Sequence, residues 1–93
     1  MEKATYNNYF IVLNARGLHT RPSTEIVKCL TKFKSEVALK YKSTKVNGRS
    51  LMGILMLAAE KGSRIEVFAT GDDAEEAVSA LLLLAKNQFY INY

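Results

Sequence analysis

The sequence predicts an α+β protein of the open-faced β-sandwich class, in which a four-stranded antiparallel sheet carries three helices on one face. Apolar residues alternate with a period of two in four short segments and recur at helical spacing in three others. These segments follow one another in the order βαββαβα, with short turns between them. A chain of 93 residues leaves room for one domain, which we expect to span residues 1–93.

The first strand and the first helix are separated by a loop that contains a glycine. Residues 9–13 are apolar on both strand faces, which predicts a strand in the middle of the sheet. Apolar residues then recur at helical spacing over residues 20–34. Pro22 is tolerated in the first turn of a helix but not in its interior. We therefore expect the first helix to begin at or just after His19.

The middle of the chain predicts a hairpin followed by a short helix. Residues 36–41 alternate apolar and polar, and residues 44–47 read as a short return strand after a tight turn. The dipeptide Asn47-Gly48 commonly ends such a strand. Ser50 is a preferred N-cap residue, and it opens an apolar segment over residues 51–59 that we interpret as a helix.

The last third predicts a strand and a longer helix. Residues 65–70 alternate between apolar and polar side chains. Asp72 is expected to be the N-cap of the helix that follows, with Glu75 completing a capping box three residues later. A stripe of apolar residues runs through residues 74–85. The aromatic residues 89–93 have no predicted place.

The composition indicates an intracellular globular protein without an internal disulfide or a structural zinc site. A hydrophobic content of 48% supports a core. One cysteine, Cys29, cannot form an internal disulfide, and with a single histidine it cannot build a structural zinc site. We interpret Cys29 as a small core residue. No apolar run has the length of a membrane span or the pattern of a secretory signal, so we expect a cytoplasmic protein without membrane insertion.

The positive charge is concentrated in the first half of the chain. Residues 1–50 hold ten Lys and Arg against three Asp and Glu, a balance of +7, whereas residues 51–93 hold three against six, a balance of −3. A basic half suits an acidic partner surface, a nucleic acid or a phosphorylated ligand. A solvated lysine-rich face explains it as well.

Residues 17–23, GLHTRPS, concentrate the residue types that handle phosphate. The only histidine, His19, stands at the start of a helix, where first-turn N–H groups point at an anion held by the ring. Arg21 offers a guanidinium to the same oxygens, and a neutral imidazole nitrogen is a nucleophile. His19 can therefore carry a labile phosphoryl group. The alternative is that His19 is a polar residue at a helix start and Arg21 a surface charge.

Two stretches resemble the HPr family, the histidine-containing phosphocarriers of the bacterial phosphoenolpyruvate-dependent sugar phosphotransferase system. Residues 17–23 resemble the active-site signature of that family. Residues 46–55, VNGRSLMGIL, resemble its regulatory-serine segment in bacteria that possess an HPr kinase/phosphorylase. The resemblance runs from about Tyr9 to about Lys86 and includes the order of the elements. Residues 87–93 depart from it, since they are aromatic where the family is often acidic or polar.

The resemblance implies a carrier protein that acts as substrate and phosphodonor for other enzymes and is not itself an enzyme. His19 would accept a phosphoryl group from phospho-enzyme I on its Nδ1 atom and pass it to the IIA domains of sugar permeases. Arg21 would steady the phosphate, and Thr20 would offer a main-chain N–H. Such a carrier is expected to be a monomer and to need no cofactor.

The resemblance also implies a regulatory site at Ser50, which HPr kinase/phosphorylase would phosphorylate. Leu51, Met52 and Leu55 match the partner-contact positions of the family and are expected to form an exposed apolar patch. A phosphate on Ser50 would place about −1.5 to −2 charges beside this patch and weaken docking to enzyme I. In some relatives it also creates a surface for a catabolite-control transcription factor.

Other functions remain open at this stage. The basic half and the element order also suit a nucleic-acid-binding module, but residues 44–47 lack the stacking aromatics that such a sheet needs, so no nucleic acid is expected. A purely regulatory HPr paralogue would be expected to lack the histidine, whereas His19 and Arg21 are both present here. A paralogue that serves the nitrogen-related branch of the phosphotransferase system is not excluded.

Overall fold

A computed structural model describes residues 5–93. It contains four strands and three α-helices, followed by a short turn at residues 88–90. The strands are β1 (Thr5–Ile11), β2 (Glu36–Tyr41), β3 (Thr44–Asn47) and β4 (Arg64–Thr70), and the helices are α1 (Thr20–Thr31), α2 (Leu51–Met56) and α3 (Ala74–Lys86). The predicted fold class and the predicted order of elements are confirmed.

The sheet has the strand order β1-β4-β2-β3, and all of its pairs are antiparallel. Alternate residues of the central strand β4 are fully buried against the helices, namely Ile65, Val67 and Ala69. Val67 pairs with Leu39 of β2, which is also fully buried. The core therefore lies between one face of the sheet and the helix layer, while the other face of the sheet is open to solvent.

The prediction that the first strand lies in the middle of the sheet is wrong, because β1 forms one edge. Phe10 and Val12 are buried against the helices. Tyr9, Ile11 and Leu13 alternate with them and are exposed on the open face. Apolar residues on both faces of a strand favour two covering layers, but single exposed apolar side chains are common on protein surfaces.

The helices pack on the core through stripes that differ at single positions from those that the pattern predicts. Ile26 and Leu30 of α1 are fully buried, whereas Cys29 is only partly buried. In α3, Leu82 is also only partly buried and packs against the edge of the core, while Leu84 is buried.

Partial burial raises the pKa of the Cys29 thiol above its usual value, so the thiol stays protonated and is a poor nucleophile.

The prediction of a capping box at Asp72 is also wrong. Helix α3 begins at Ala74, and its N-cap residue is Asp73, whose side chain makes no cap hydrogen bond. The Asp73 carboxylate instead accepts hydrogen bonds from the main-chain N–H groups of Lys34 and Ser35, each at 2.9 Å, and from the Ser35 hydroxyl. These contacts tie the start of α3 to the loop before β2. The hydrogen bonds, above all the one from the Ser35 hydroxyl, lower the pKa of Asp73 below its usual value.

Asp73 is expected to make the stability of the protein sensitive to acid. Because its pKa is lower in the folded chain, its contribution is complete above the ordinary carboxyl pKa of 3.8 and is lost as the pH falls through the folded value. Asp73→Asn should therefore lower the thermal midpoint at pH 7, and the midpoint of this variant should fall less on acidification below about pH 5. Asp72→Asn removes the neighbouring charge and serves as the control. Equal acid sensitivity in the parent and in Asp73→Asn would contradict this role.

Candidate functional site

The loop that carries His19 is fastened to the connection between α2 and β4. Gly17 has a φ of +70°, and a Cβ atom there would lie 2.2 Å from the carbonyl oxygen of Ala59. The N–H of Leu18 donates to that same carbonyl at 2.9 Å. The Ser23 hydroxyl in turn donates to the carbonyl of Leu18 at 3.1 Å. Contacts on both sides of the loop therefore fix the point from which the imidazole of His19 projects.

His19 is the N-cap residue of α1, as the position of Pro22 predicts. Its backbone is extended, and its side chain makes no cap hydrogen bond. The imidazole is therefore not used for capping the helix. The side chain is partly exposed, so a partner can reach it.

The free main-chain N–H groups beside His19 belong to Thr20 and Arg21. The first N–H groups of a helix have no acceptor within that helix. Pro22 has no N–H to offer, and the N–H of Ser23 donates to the carbonyl of His19 at 3.1 Å. Two N–H groups thus remain available to an anion at the helix start. The sequence predicts the N–H group of Thr20 as a donor, whereas that of Arg21 is found only in the structure.

Tyr93 joins His19 and Arg21, although 74 residues separate it from the histidine. The two rings are stacked with centroids 5.3 Å apart and planes 20° apart. The Nε2 atom of His19 lies 2.9 Å from the main-chain oxygen of Tyr93. Nη1 of Arg21 donates to the Tyr93 hydroxyl at 2.7 Å. The aromatic residues left without a predicted place thus end at the candidate site.

Arg16 is a further residue of the site that the sequence reasoning missed. Its guanidinium carbon lies 5.0 Å from the centre of the Tyr93 ring, and that of Arg21 lies 5.8 Å from the same centre. Two cations therefore stand beside the ring that covers His19. The position of Arg16, three residues before the histidine in the same loop, was a signal that could have identified it.

Ser50 is the N-cap residue of α2, as predicted. Its hydroxyl accepts a hydrogen bond from the N–H of Gly53 at 3.0 Å. A Cβ atom on residue 53 would come within 3.1 Å of this hydroxyl oxygen, so the glycine leaves room for the cap. Helix α2 ends at Met56 rather than at Ala59, since Ala58 has a φ of +51°.

Apolar side chains surround Ser50 on the outer side of α2. Leu51 and Met52 are exposed, and Leu55 is partly exposed. Met56, which the sequence reasoning did not include, is also exposed. We call these residues, Leu51, Met52, Leu55 and Met56, the apolar patch. Ile54 is buried, so α2 has one face in the core and one in solvent.

Arg49 joins the start of α2 to the end of α1. Its Nε atom donates to the carbonyl of Leu30 at 3.2 Å. Its Nη2 atom donates to the carbonyls of Phe33 and Ser35, the latter at 2.9 Å. A guanidinium at the carbonyl end of a helix satisfies oxygens that have no partner within the helix. This side chain is therefore structural, and it holds the Ser50 segment against the helix that begins at His19.

Two negative findings concern residues 5–93. None of the helices in this range is long and apolar enough to cross a membrane. Within the same range, no three His, Cys, Asp or Glu side chains come together in a way that could hold a metal ion.

Comparison with known proteins identifies the family of the chain. Residues 7–87 match the family model described as PTS HPr component phosphorylation site. The phosphocarrier protein HPr of Xylella fastidiosa is 40% identical over 79 residues, which cover 85% of this chain and 89% of that protein. The chain therefore belongs to the HPr family of phosphocarrier proteins.

Solved structures give the same result for the fold. The structure of HPr-C-His from Thermoanaerobacter tengcongensis superposes with a TM-score of 0.89 at 34% identity, covering 95% of this chain and 99% of that one. An HPr dimer from the same organism superposes with a TM-score of 0.73 at 40% identity and covers 78% of this chain and 84% of that one. The fold on which His19 and Ser50 stand is thus that of known HPr proteins.

Proposed function

We propose that this chain carries phosphoryl groups within the phosphoenolpyruvate-dependent sugar phosphotransferase system. His19 accepts the group from phospho-enzyme I on Nδ1 and passes it to the IIA domains of sugar permeases. The chain is then a substrate and a donor for its partners rather than an enzyme. The observation that best supports this proposal is the surroundings of His19, where a partly exposed imidazole stands beside two free N–H groups and two guanidinium groups.

The residues around His19 suit a phosphoryl group that has to be taken up and given away again. The N–H groups of Thr20 and Arg21 can donate to its oxygens, and the dipole of α1 favours the negative charge by about 0.3–1 kcal/mol. Arg21 can add charge-assisted hydrogen bonds. Each of these contacts is modest and partly exposed to solvent. The group is therefore held without being trapped, as transfer in both directions requires.

The apolar patch is the proposed docking surface for enzyme I and the IIA domains. It is exposed on α2, and the basic half of the chain, residues 1–50 with a balance of +7, favours acidic partner surfaces. We place the protein in the cytoplasm, where these partners act on it, and expect it to work as a monomer. The related HPr dimer makes the oligomeric state worth measuring directly.

Ser50 is the proposed regulatory site, modified by an HPr kinase/phosphorylase. A phosphate at the N-cap position is compatible with the helix that follows, because the helix dipole favours negative charge there. It acts by adding charge beside the apolar patch rather than by unfolding α2. A catabolite-control transcription factor that reads the phosphorylated serine would be a further partner.

Phosphorylation by enzyme I tests the carrier role. Incubated with phosphoenolpyruvate and a cognate enzyme I, the protein should gain one acid-labile phosphate, detected by intact-mass spectrometry. His19→Ala should gain none, because no other imidazole is present in the chain. Thermal unfolding of the variant shows whether the fold is retained. Labelling of a folded His19→Ala variant would contradict the assignment.

A further inference from the structure

We propose that Tyr93 is a positioning residue for His19, which keeps the proton on Nε2 and holds the imidazole ready to react through Nδ1. The inference rests on the carrier function proposed above. It concerns a residue outside the GLHTRPS stretch and outside residues 7–87, which match the family model.

The hydrogen bond between His19 and Tyr93 can have only one direction. A main-chain oxygen accepts hydrogen bonds and cannot donate them. The contact of 2.9 Å between Nε2 and the Tyr93 oxygen therefore places the imidazole proton on Nε2. In a neutral ring the second nitrogen, Nδ1, then holds the free lone pair. The contact thus determines which nitrogen is the nucleophile.

The Tyr93 side chain restricts the ring and the arginine beside it. Stacking at 5.3 Å between centroids limits rotation of the imidazole, and the hydroxyl accepts the hydrogen bond from Arg21 at 2.7 Å. Arg16 approaches the same aromatic ring. One residue therefore orients the nucleophile and keeps both guanidinium groups close to the place where phosphate charge would develop.

The segment that carries Tyr93 is itself firmly held. Gln88, Phe89 and Tyr90 all have positive φ values of 54°, 57° and 59°, a conformation that L-residues adopt only when their surroundings impose it. Phe89 is fully buried and packs edge-on against Phe10, with centroids 5.9 Å apart. The buried aromatic ring compensates for the unfavourable turn and directs the chain towards α1.

Asn14 connects this segment directly to the loop that carries His19. Its side chain is fully buried, and Nδ2 donates to the carbonyls of Gln88 at 3.0 Å and Ile91 at 2.8 Å. Its Oδ1 atom finds no hydrogen-bond partner among residues 5–93, so the hydrogen bonds of this side chain all go to the segment. Asn14 lies five residues before His19, so the loop that carries His19 also holds the segment up to Ile91, two residues before Tyr93.

The proposed proton position makes the transfer simple in both directions. In the forward step the Nδ1 lone pair forms the new N–P bond, and the bond between phosphorus and the donor breaks, its electron pair leaving with the donor. In the onward step the N–P bond breaks, its electron pair returns to Nδ1, and the acceptor takes the phosphoryl group. The proton stays on Nε2, hydrogen-bonded to Tyr93, throughout. No proton has to leave the reacting nitrogen at either step.

The imidazole ¹⁵N spectrum tests the positioning role without any partner protein. In the neutral ring we expect the Nδ1 resonance of the parent at the end of the ¹⁵N range that is typical of a nitrogen with a lone pair. The Nε2 resonance is expected at the end that is typical of an N–H. Tyr93→Ala keeps the main-chain oxygen but loses the ring stacked on His19 and the hydroxyl that binds Arg21, which hold this oxygen against the imidazole. The two resonances should therefore move closer through exchange between tautomers. Tyr93→Phe should keep them apart. Tyr90→Ala removes an exposed tyrosine of the same segment and should match the parent.

Rates of phosphoryl transfer from enzyme I complete the test. We expect Tyr93→Ala to react about tenfold more slowly than the parent, since a small loss of orientation has effects of this order or larger. Tyr93→Phe should lie between the two. Unchanged ¹⁵N resonances and an unchanged rate in Tyr93→Ala would overturn the positioning role alone. A parent protein that enzyme I cannot phosphorylate would overturn the carrier function, and the positioning role with it, whatever the spectra show.

Discussion

Gly17→Ala is expected to destabilise the protein by about 2–4 kcal/mol and to slow phosphoryl transfer to His19. The positive φ of Gly17 disfavours any side chain, and the added methyl would overlap the carbonyl oxygen of Ala59 at 2.2 Å. Relief of this overlap has to move the loop away from the α2–β4 connection. The hydrogen bond from Leu18 to Ala59, at 2.9 Å, would then weaken as well. The loss of stability and the displacement of the histidine therefore have one cause.

Gly62→Ala is the control that measures the cost of backbone strain alone, without the overlap that an added methyl causes at Gly17. Gly62 also has a positive φ, +90°, but a Cβ atom there would meet nothing within 4 Å. Its substitution should cost only the strain, about 1–2 kcal/mol, and should leave transfer to His19 unchanged. Chemical denaturation and the initial rate of labelling by enzyme I measure both effects. If Gly17→Ala and Gly62→Ala behave alike, close packing against Ala59 does not position the site.

Ser50→Asp is expected to weaken docking to enzyme I about fivefold while leaving the fold intact. Aspartate is as good an N-cap residue as serine, so the hydrogen bond that starts α2 has a replacement. The added negative charge lies beside the apolar patch. The basic half of the chain favours partners with an acidic surface, and such a surface would repel this charge. Repulsion of about 1 kcal/mol between such charges corresponds to about fivefold in affinity. The phosphate itself carries more charge and should have the larger effect.

Ser50→Asn is the matched control, because asparagine caps a helix as well as aspartate but is neutral. The apparent KM for enzyme I should rise in Ser50→Asp and stay near the parent value in Ser50→Asn. With a cognate HPr kinase, the parent should gain an acid-stable phosphate and Ser50→Asn should gain none. A similar rise of KM in both variants would mean that the hydroxyl, rather than charge, matters for docking. Kinase labelling of Ser50→Asn would place the regulatory site elsewhere.

Much of the fold could be predicted because local chemistry determines it. Pro22 marks the first turn of α1, and Ser50 starts α2 with the hydrogen bond that its hydroxyl is suited to accept. The hairpin of β2 and β3 follows from alternation and from its turn. Local patterns were less informative where distant groups compete for a side chain. Asp73 binds the loop before β2 instead of capping its helix. No residue near Asp73 in the sequence predicts its hydrogen bonds with Lys34 and Ser35.

The candidate site was predictable in part for the same reason. His19, Thr20 and Arg21 are neighbours in the chain, and the chemistry of each residue type points to phosphate. Tyr93 reaches them only because a buried Phe89 and the left-handed turn around it direct the end of the described chain back to α1. Such a contact depends on tertiary packing across the whole fold, which no short-range pattern encodes.

Exchange of the phosphoryl group with a IIA domain tests the central claim most directly. Phosphorylated protein is mixed with an unmodified IIA domain, and in a second mixture the IIA domain carries the phosphate at the start. A carrier predicts that both mixtures reach the same distribution of phosphate between the two proteins, followed by intact-mass spectrometry. If the phosphate remains on His19, or is released to water instead of reaching the partner, the protein is not a phosphoryl carrier of this kind.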